Sequence, residues 1–259
     1  MELVSESQFF LPLLFAAAFL TGVIGAMGGS GGLIITPFMI ASGLPPQMAI
    51  GTTRVSSIGM WIITILKFRK ADKIQWQYTP YLSAIALIGG LIGTSLTLSI
   101  ADKWIYAIVG FAMIVFTPLA ALNKDFGIER RETSRNRKLA GYVAYFFVSV
   151  FGGFFGGGAG LIAIITLVFC MGLRTLEAHA TELIPWVLLV FATSFLFIWY
   201  EQVNYPYVLT VFTGMAIGGH VGSSVAIRKG DKWVKTFVSI FSFIVGSKLL
   251  WNAWQAFHI

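Results

Sequence analysis

Gly153-Phe-Phe-Gly-Gly-Gly-Ala-Gly-Leu161 repeats, 128 residues on, the stretch Gly25-Ala-Met-Gly-Gly-Ser-Gly-Gly-Leu33. Gly25, Gly28, Gly29, Gly32, Leu33 and Ile34 meet Gly153, Gly156, Gly157, Gly160, Leu161 and Ile162. Farther along the offset becomes 129, after a one-residue insertion. There Ala49 meets Ala178, Thr52 meets Thr181, Gly89-Gly90 meets Gly218-Gly219, Gly93 meets Gly222, and Asp102-Lys103-Trp104 meets Asp231-Lys232-Trp233. The chain is a repeat, and self-similarity in an apolar chain points first to a transporter, because transport folds are commonly two copies of one bundle around a central site.

Composition sets the solvent. Hydrophobic residues make up 57% of the chain and charged ones 11%, with a mean hydropathy of +0.81, a balance that a water-exposed surface does not tolerate. The sequence reads as an all-α, polytopic helical membrane protein. The net charge of +7 does not point to nucleic acid, because the Lys and Arg residues sit in short loops beside apolar spans. A single Cys170 excludes an intrachain disulfide and a cysteine metal cluster. With Glu2 and Glu6 and no Lys or Arg before the first apolar run, no secretory signal is expected.

Apolar segments run about 9–27, 31–43, 47–67, 78–99 and 102–122, then 139–158, 160–172, 175–199, 204–227 and 231–257. Three parts follow: an N-terminal repeat over 1–122, a charged linker over 123–138, and a C-terminal repeat over 139–259. Each glycine stretch is either a bend within one long helix or a turn between two segments, and the charges arbitrate. Bends divide the loop cations about ten to six across the membrane. Turns instead collect Lys67, Arg69, Lys70, Lys73, Lys124, Arg130, Arg131, Arg135, Arg137, Lys138, Arg174, Arg228, Lys229, Lys232 and Lys235 on one side, leaving Lys103 on the other. Such separation favours five segments per half, both termini outside the cytoplasm, and halves inserted in opposite orientations. The short segments 31–43 and 160–172 suit the return limbs of re-entrant hairpins, where irregular backbone is tolerated against protein or a water-filled cavity.

The glycines at four-residue spacing also let helices approach closely. A turn at membrane depth would in addition start the next helix there, aiming N–H groups at an anion from around Ser30 and Gly31 in one copy and Gly158 and Ala159 in the other. More specific is Ala49-Ile-Gly-Thr-Thr-Arg-Val-Ser-Ser57, which puts Arg54 eight residues, roughly 12 Å, inside its segment. An arginine at that depth faces the bundle interior or a cavity. Thr52 and Ser56, like Thr53 and Ser57, lie one turn apart, so short hydroxyl donors accompany the cation. The structural alternative is that Arg54 balances Glu182 or backbone carbonyls.

In the second copy Glu177-Ala-His-Ala-Thr-Glu-Leu183 brings Thr181 and Glu182 to similar depth from the opposite face. His179 and Glu182 are three apart on one helix face, so either could carry a coupling proton; for His179 a hydrogen-bonded interface role weighs equally.

At these residues the sequence resembles the sulfite exporter TauE/SafE family of membrane anion permeases. The likeness runs over nearly the whole chain: the glycine stretch before Pro37, Ala49-Ile-Gly-Thr-Thr53, Gly93-Thr-Ser95, the run from Gly153 to Gly160, Glu177-Ala178, Ala180-Thr181, Gly222, and Lys229-Gly-Asp231. It implies transport of sulfur-containing oxyanions, such as sulfite or organosulfonates, across the bacterial cytoplasmic membrane, generally without ATP. The family commonly has Thr-Ser-Leu where this chain has Thr53 and then Arg54, and often Asn and Lys in place of His179 and Leu183. Leu183 aligns with Arg54, so the cation has moved to the other half.

The leading reading is a secondary anion transporter located in the inner membrane; the alternative is a membrane-embedded enzyme or a non-transporting scaffold. An intramembrane hydrolase needs a nucleophile and base or a metal cluster, which three scattered histidines and one cysteine do not provide. No cofactor or metal is expected. The expected partners are a small anion, membrane lipid and a coupling proton, with homo-oligomerisation left open. The charge split makes a topological prediction: cysteine labelling should reach residues 5 and 258 from outside and residue 130 from the cytoplasm, and the opposite exposure would sink the inverted repeat.

Overall fold

The computed structural model describes residues 10–28, 32–100, 104 and 130–229. Its elements are helices: α1 Phe10–Ala26, α2 Gly32–Ala41, α3 Pro46–Lys70, α4 Thr79–Ser99, α5 Arg135–Phe154, α6 Ala159–Met171, α7 Thr175–Trp199 and α8 Tyr205–Lys229. Of these, α3, α4, α7 and α8 are long and apolar enough to cross a bilayer. Large side chains such as Phe147, Phe195 and Leu209 lie on the outer surface, where lipid accepts them and water does not. The chain is a multi-pass membrane protein. The expected fifth segments, 102–122 and 231–257, and the candidates Ser30 and Gly31 lie outside the described residues.

The second glycine stretch is a turn between helices. After Phe154 the chain reverses through 155–158, with Gly156 at φ +81° and Gly158 at φ +86°, left-handed conformations that a Cβ disfavours. In the first stretch, Gly28 at φ +89° follows α1 in the same way. The helices that leave these turns are short. At 10 residues for α2 and 13 for α6, they rise roughly 15 and 20 Å, less than the roughly 30 Å of hydrocarbon.

Helix α5 starts at Arg135, four residues before the expected apolar segment. Ser134 sets that boundary, its Oγ accepting from the Arg137 N–H at 3.4 Å, so Arg135, Arg137 and Lys138 lie in the first turn of the helix. Hydropathy marks where a chain becomes apolar; a helix begins at its cap.

Helix pairings occur in corresponding sets. Bare glycine backbone lets α8 lie on α1, with Gly218 and Gly222 against the carbonyls of Phe19 and Val23. It also lets α4 lie on α5, with Gly89 and Gly93 against the carbonyls of Phe146 and Val150. Helix α3 packs on α8, α7 packs on α4, and α3 meets α7 between them. Two hydrogen bonds repeat the correspondence atom for atom. Thr52 Oγ1 accepts from Asn204 N at 2.9 Å, and Thr181 Oγ1 accepts from Gln75 N at 3.0 Å. Both pairs stand at the offset of 129. Each threonine thus ties its own helix to the loop preceding the last described helix of the other half.

Apart from the buried Arg54, the described cations gather at one end. There Lys67 Nζ donates to His220 O at 2.6 Å and to Ser224 Oγ, Arg130 pairs with Glu177 at 2.8 Å, and Arg131 N donates to Gly172 O at 3.0 Å. The hydrogen bond to Glu177 raises the Arg130 pKa above its ordinary value. At the other end α1 meets α2 and α8, with Phe10 against Phe38 and Tyr207, and Gln47 Nε2 donates to Thr97 O at 3.2 Å.

Close packing at the turn makes a stability prediction. A Cβ at Gly153 would stand 2.7 Å from Gly90 Cα, so Gly153→Ala should cost about 1–3 kcal/mol through overpacking. Gly32→Ala, whose Cβ would meet Gly157 Cα at 3.6 Å, should stay within about 0.5 kcal/mol. Thermal unfolding of the detergent-purified variants compares the two, and equal losses would contradict the packing account.

Candidate functional site

The two glycine turns meet a cavity of about 50 Å³ between the halves. Gly25, Gly28 and Gly32 line it from one side, and Gly156, Gly157 and Gly160 from the other. Helix α3 contributes Thr53, Arg54 and Ser57, and α7 contributes Glu182 and Trp186. A water molecule needs roughly 10–15 Å³ of such space, so the cavity suits an ion of about four heavy atoms.

Arg54 is buried and anchored at one corner of its guanidinium. Its Nη2 donates to the carbonyl of Gly152, and to that of Gly153 at 3.2 Å, the last turn of α5. Gly153 O also accepts from Thr94 Oγ1 at 2.9 Å, and Phe154 O accepts from Thr97 Oγ1. These carbonyls have no partner within their own helix, and a cation at a helix C-terminus is favoured by the dipole. Gly156 fits under the group, since a Cβ there would lie 2.8 Å from Arg54 Cζ. Nη2 accounts for two of the five guanidinium donors; Nε and Nη1 have no partner among the described residues. Nor is Arg54 paired with Glu182, since the ion pairs among those residues are Arg130–Glu177 and His179–Glu182. Of the two structural roles open to Arg54, the carbonyl one is present and the Glu182 one is not.

The four hydroxyls that flank Arg54 on α3 divide between two faces. Thr53 and Ser57 line the cavity. Thr53 Oγ1 donates to Ala49 O at 2.9 Å and lies 3.0 Å from Thr36 Oγ1 on α2, while Ser57 Oγ donates to Arg54 O at 2.8 Å. Thr52 and Ser56 face α8 and its preceding loop instead. Thr52 takes the Asn204 N–H and donates to Met48 O at 2.7 Å, and Ser56 reaches Val208 O at 3.3 Å. Thr181, the counterpart of Thr52, donates to Glu177 O at 2.6 Å. Thr52, Ser56 and Thr181 are thus held in structural bonds and do not line the cavity. Gly158 and Ala159 start α6 just behind its wall.

Glu182 and His179 are brought together as their spacing implies. Both are about 1% exposed, with His179 Nδ1 3.3 Å from Glu182 Oε1. The second carboxylate oxygen accepts from Trp186 Nε1 at 3.2 Å. The other histidine nitrogen, Nε2, lies 3.0 Å from Ala26 O, the last carbonyl of α1. Both first helices of the halves therefore end against a side chain from the opposite half.

Sequence reading missed the aromatic wall. Trp61 and Trp186 both line the cavity, their rings stacked at 6.4 Å and 13°. Their spacing gave a signal: Trp186 is one turn beyond Glu182, and Trp61 two turns beyond Arg54. Thr94 and Thr97 gave none, since their partners are backbone carbonyls more than fifty residues away.

Residues 14–249 match the family described as sulfite exporter TauE/SafE. The chain belongs to the TauE/SafE family. A "Probable membrane transporter protein" of Haemophilus influenzae is 25% identical over 242 residues, covering 93% of this chain and 95% of its own length. "Probable membrane transporter protein YfcA" of Escherichia coli K12 is 25% identical over 257 residues, covering 97% and 94%. "Probable membrane transporter protein ORF9" of a Sinorhizobium species is 24% identical over 245 residues, covering 93% and 92%. No solved structure matches the chain. Membership of this TauE/SafE family makes the protein a probable membrane transporter with a small substrate.

Because Arg54 caps carbonyls and is not paired with Glu182, its removal strands acceptors that no carboxylate change can satisfy. Arg54→Ala should lower stability by about 1.5–3 kcal/mol, and Arg54→Ala with Glu182→Gln should keep that whole loss. Thermal unfolding of purified single and double variants measures it, and recovery in the double variant would show that the two charges balance each other.

Proposed function

We propose that this protein is a secondary transporter of a small sulfur-containing oxyanion, such as sulfite or an organosulfonate, held between two inverted repeats of the inner membrane. The observation that carries the reading is Arg54. It is a permanently charged, forked donor, anchored among the described residues through Nη2 alone, on the wall of a cavity that suits about four heavy atoms. A guanidinium is weakly hydrated and its planar donors match oxyanion geometry, so it binds such an ion better than an ammonium would. Thr53 and Ser57 stand beside it. Their hydroxyls donate to carbonyls of their own helix, and rotation about one bond turns either toward an ion. Helix α6 starts at the same wall, and its positive dipole end adds to the field.

Inversion is supported by the reciprocal bonds of Thr52 and Thr181, by the matched α1–α8 and α4–α5 pairings, and by the gathering of cations at one end. On this reading the cation-rich end is cytoplasmic, and both termini are outside. The α1–α2 and α5–α6 hairpins then enter from opposite sides, and the ion sits where their turns meet. Glu182, with His179, is the proton-coupling group, because an ionised carboxylate on the wall of an anion site opposes the ion and a protonated one does not.

Flux into proteoliposomes tests the function. Labelled sulfite, an ion of four heavy atoms, should enter in a saturable manner. Arg54→Lys, which keeps the charge and loses the fork, should weaken apparent affinity about ten- to a hundred-fold in protein that still purifies as a single species. No flux of any sulfur oxyanion, or unchanged affinity in Arg54→Lys, would overturn the reading.

A further inference from the structure

His179 stands between two oxygens. Nε2 faces Ala26 O at 3.0 Å and Nδ1 faces Glu182 Oε1 at 3.3 Å. The carbonyl can only accept, and an ionised carboxylate can only accept, whereas a neutral imidazole has one N–H to give. Both contacts are hydrogen bonds only when the pair holds one proton more than a neutral histidine and an ionised glutamate. That proton makes either an imidazolium beside a carboxylate, or an Nε2–H tautomer with Glu182 Oε1–H donating to Nδ1. Trp186 Nε1–H occupies Oε2, which leaves Oε1, the oxygen facing His179, to carry it.

We infer that His179 and Glu182 form a one-proton latch that pins the inner end of α1 to α7. Its role in coupling rests on the transport reading above; its existence does not. When the proton leaves, the remaining N–H goes to the carboxylate, because the charge-assisted bond is the stronger one. Nε2 then turns a lone pair toward the lone pairs of Ala26 O, and α1 loses its anchor. The same loss makes the pair net negative on the cavity wall. Proton release thus frees the turn that carries Gly25 and Gly28 and at the same time disfavours the anion.

Among the described residues, no side chain at the inner end of α5 is placed to titrate in this way. The inner end of α5 is held by Arg54, Thr94 and Thr97, so the latch confers movement on the α1–α2 hairpin specifically. The groups facing the pair are Arg54 on α3, which lines the same cavity, and Tyr145 on α5. The Tyr145 hydroxyl is buried without a hydrogen-bond partner among the described residues and lies within electrostatic reach of Glu182. From α3, Phe68 closes on the imidazole edge-on at 5.1 Å; α1 presents backbone.

Backbone amide exchange, measured by mass spectrometry on full-length detergent-purified protein without any anion, reads the latch directly. The amides of Met27 and Gly28, bonded to Ile24 O and Gly25 O at 3.2 Å, report on the inner end of α1. After correction for intrinsic exchange, wild-type protection over residues 20–28 should fall about ten-fold or more from mildly acidic to alkaline pH, the loss expected of one charge-assisted hydrogen bond. Glu182→Gln, whose amide donates permanently to Nδ1, should keep high protection throughout. His179→Ala should show low protection throughout. A pH response in Glu182→Gln equal to wild type, or wild-type protection in His179→Ala, overturns the latch; should His179→Ala fail to fold, Glu182→Gln decides alone. A latch that titrates as described in protein that shows no anion flux in proteoliposomes overturns the transport reading only, and anion flux without a titrating latch overturns this inference only.

Discussion

Two helices, α1 and α5, end inside the bundle, and each brings carbonyls that hydrocarbon would leave unsatisfied. Such a group costs several kcal/mol where water is absent, so each helix end must find a donor from another element. For α5 the donors are Arg54, Thr94 and Thr97; for α1 the partner is His179. The glycine turns follow from the same constraint. Once a helix has ended at depth, the chain must reverse in very little room, and the left-handed angles at Gly28, Gly156 and Gly158 allow it. The cavity is what remains where two such reversals meet.

Repetition of the fold did not bring repetition of the chemistry. Thr52 and Thr181 keep the same bonds at equivalent positions, because both serve the frame. The helix-end partners do not correspond: Arg54 aligns with Leu183, and His179 aligns with Ile50. One inner helix end is held by a permanent cation and the other by a group that can gain or lose a proton. An architecture of two like halves thereby acquires a fixed side and a titratable side.

Much of this was legible in the chain. Hydropathy placed the described helices to within a few residues, α5 excepted, because Ser134 and not apolarity starts it. The parity of the loop charges pointed to turns at the glycine stretches, and the backbone of 155–158 is one. The i,i+3 spacing joined His179 to Glu182. What escaped was which of two adjacent hydroxyl pairs faced inward. Thr52 and Thr53 lie about 100° apart on one helix, and only the position of Asn204, 152 residues away, assigns Thr52 to the frame. Depth likewise suggested an Arg54–Glu182 pair, yet depth fixes one coordinate of three, and backbone acceptors carry no residue label for a sequence to reveal.

Anchorage through a single nitrogen would let one arginine serve both the fold and, on the proposed reading, an ion. If the guanidinium had spent all its donors on α5, an arriving oxyanion would have had to strip them away and strand the carbonyls of Gly152 and Gly153. Held by Nη2, it keeps those bonds while Nε and Nη1 have no partner among the described residues. The carbonyls are dipoles and do not neutralise the charge as a carboxylate would, so its field persists in the cavity. Glu182, occupied with His179 and Trp186, is kept from cancelling that field through a direct pair. The separation of these two charges, one held by backbone and one by side chains of its own helix, is what would leave the cation open to the proposed anion.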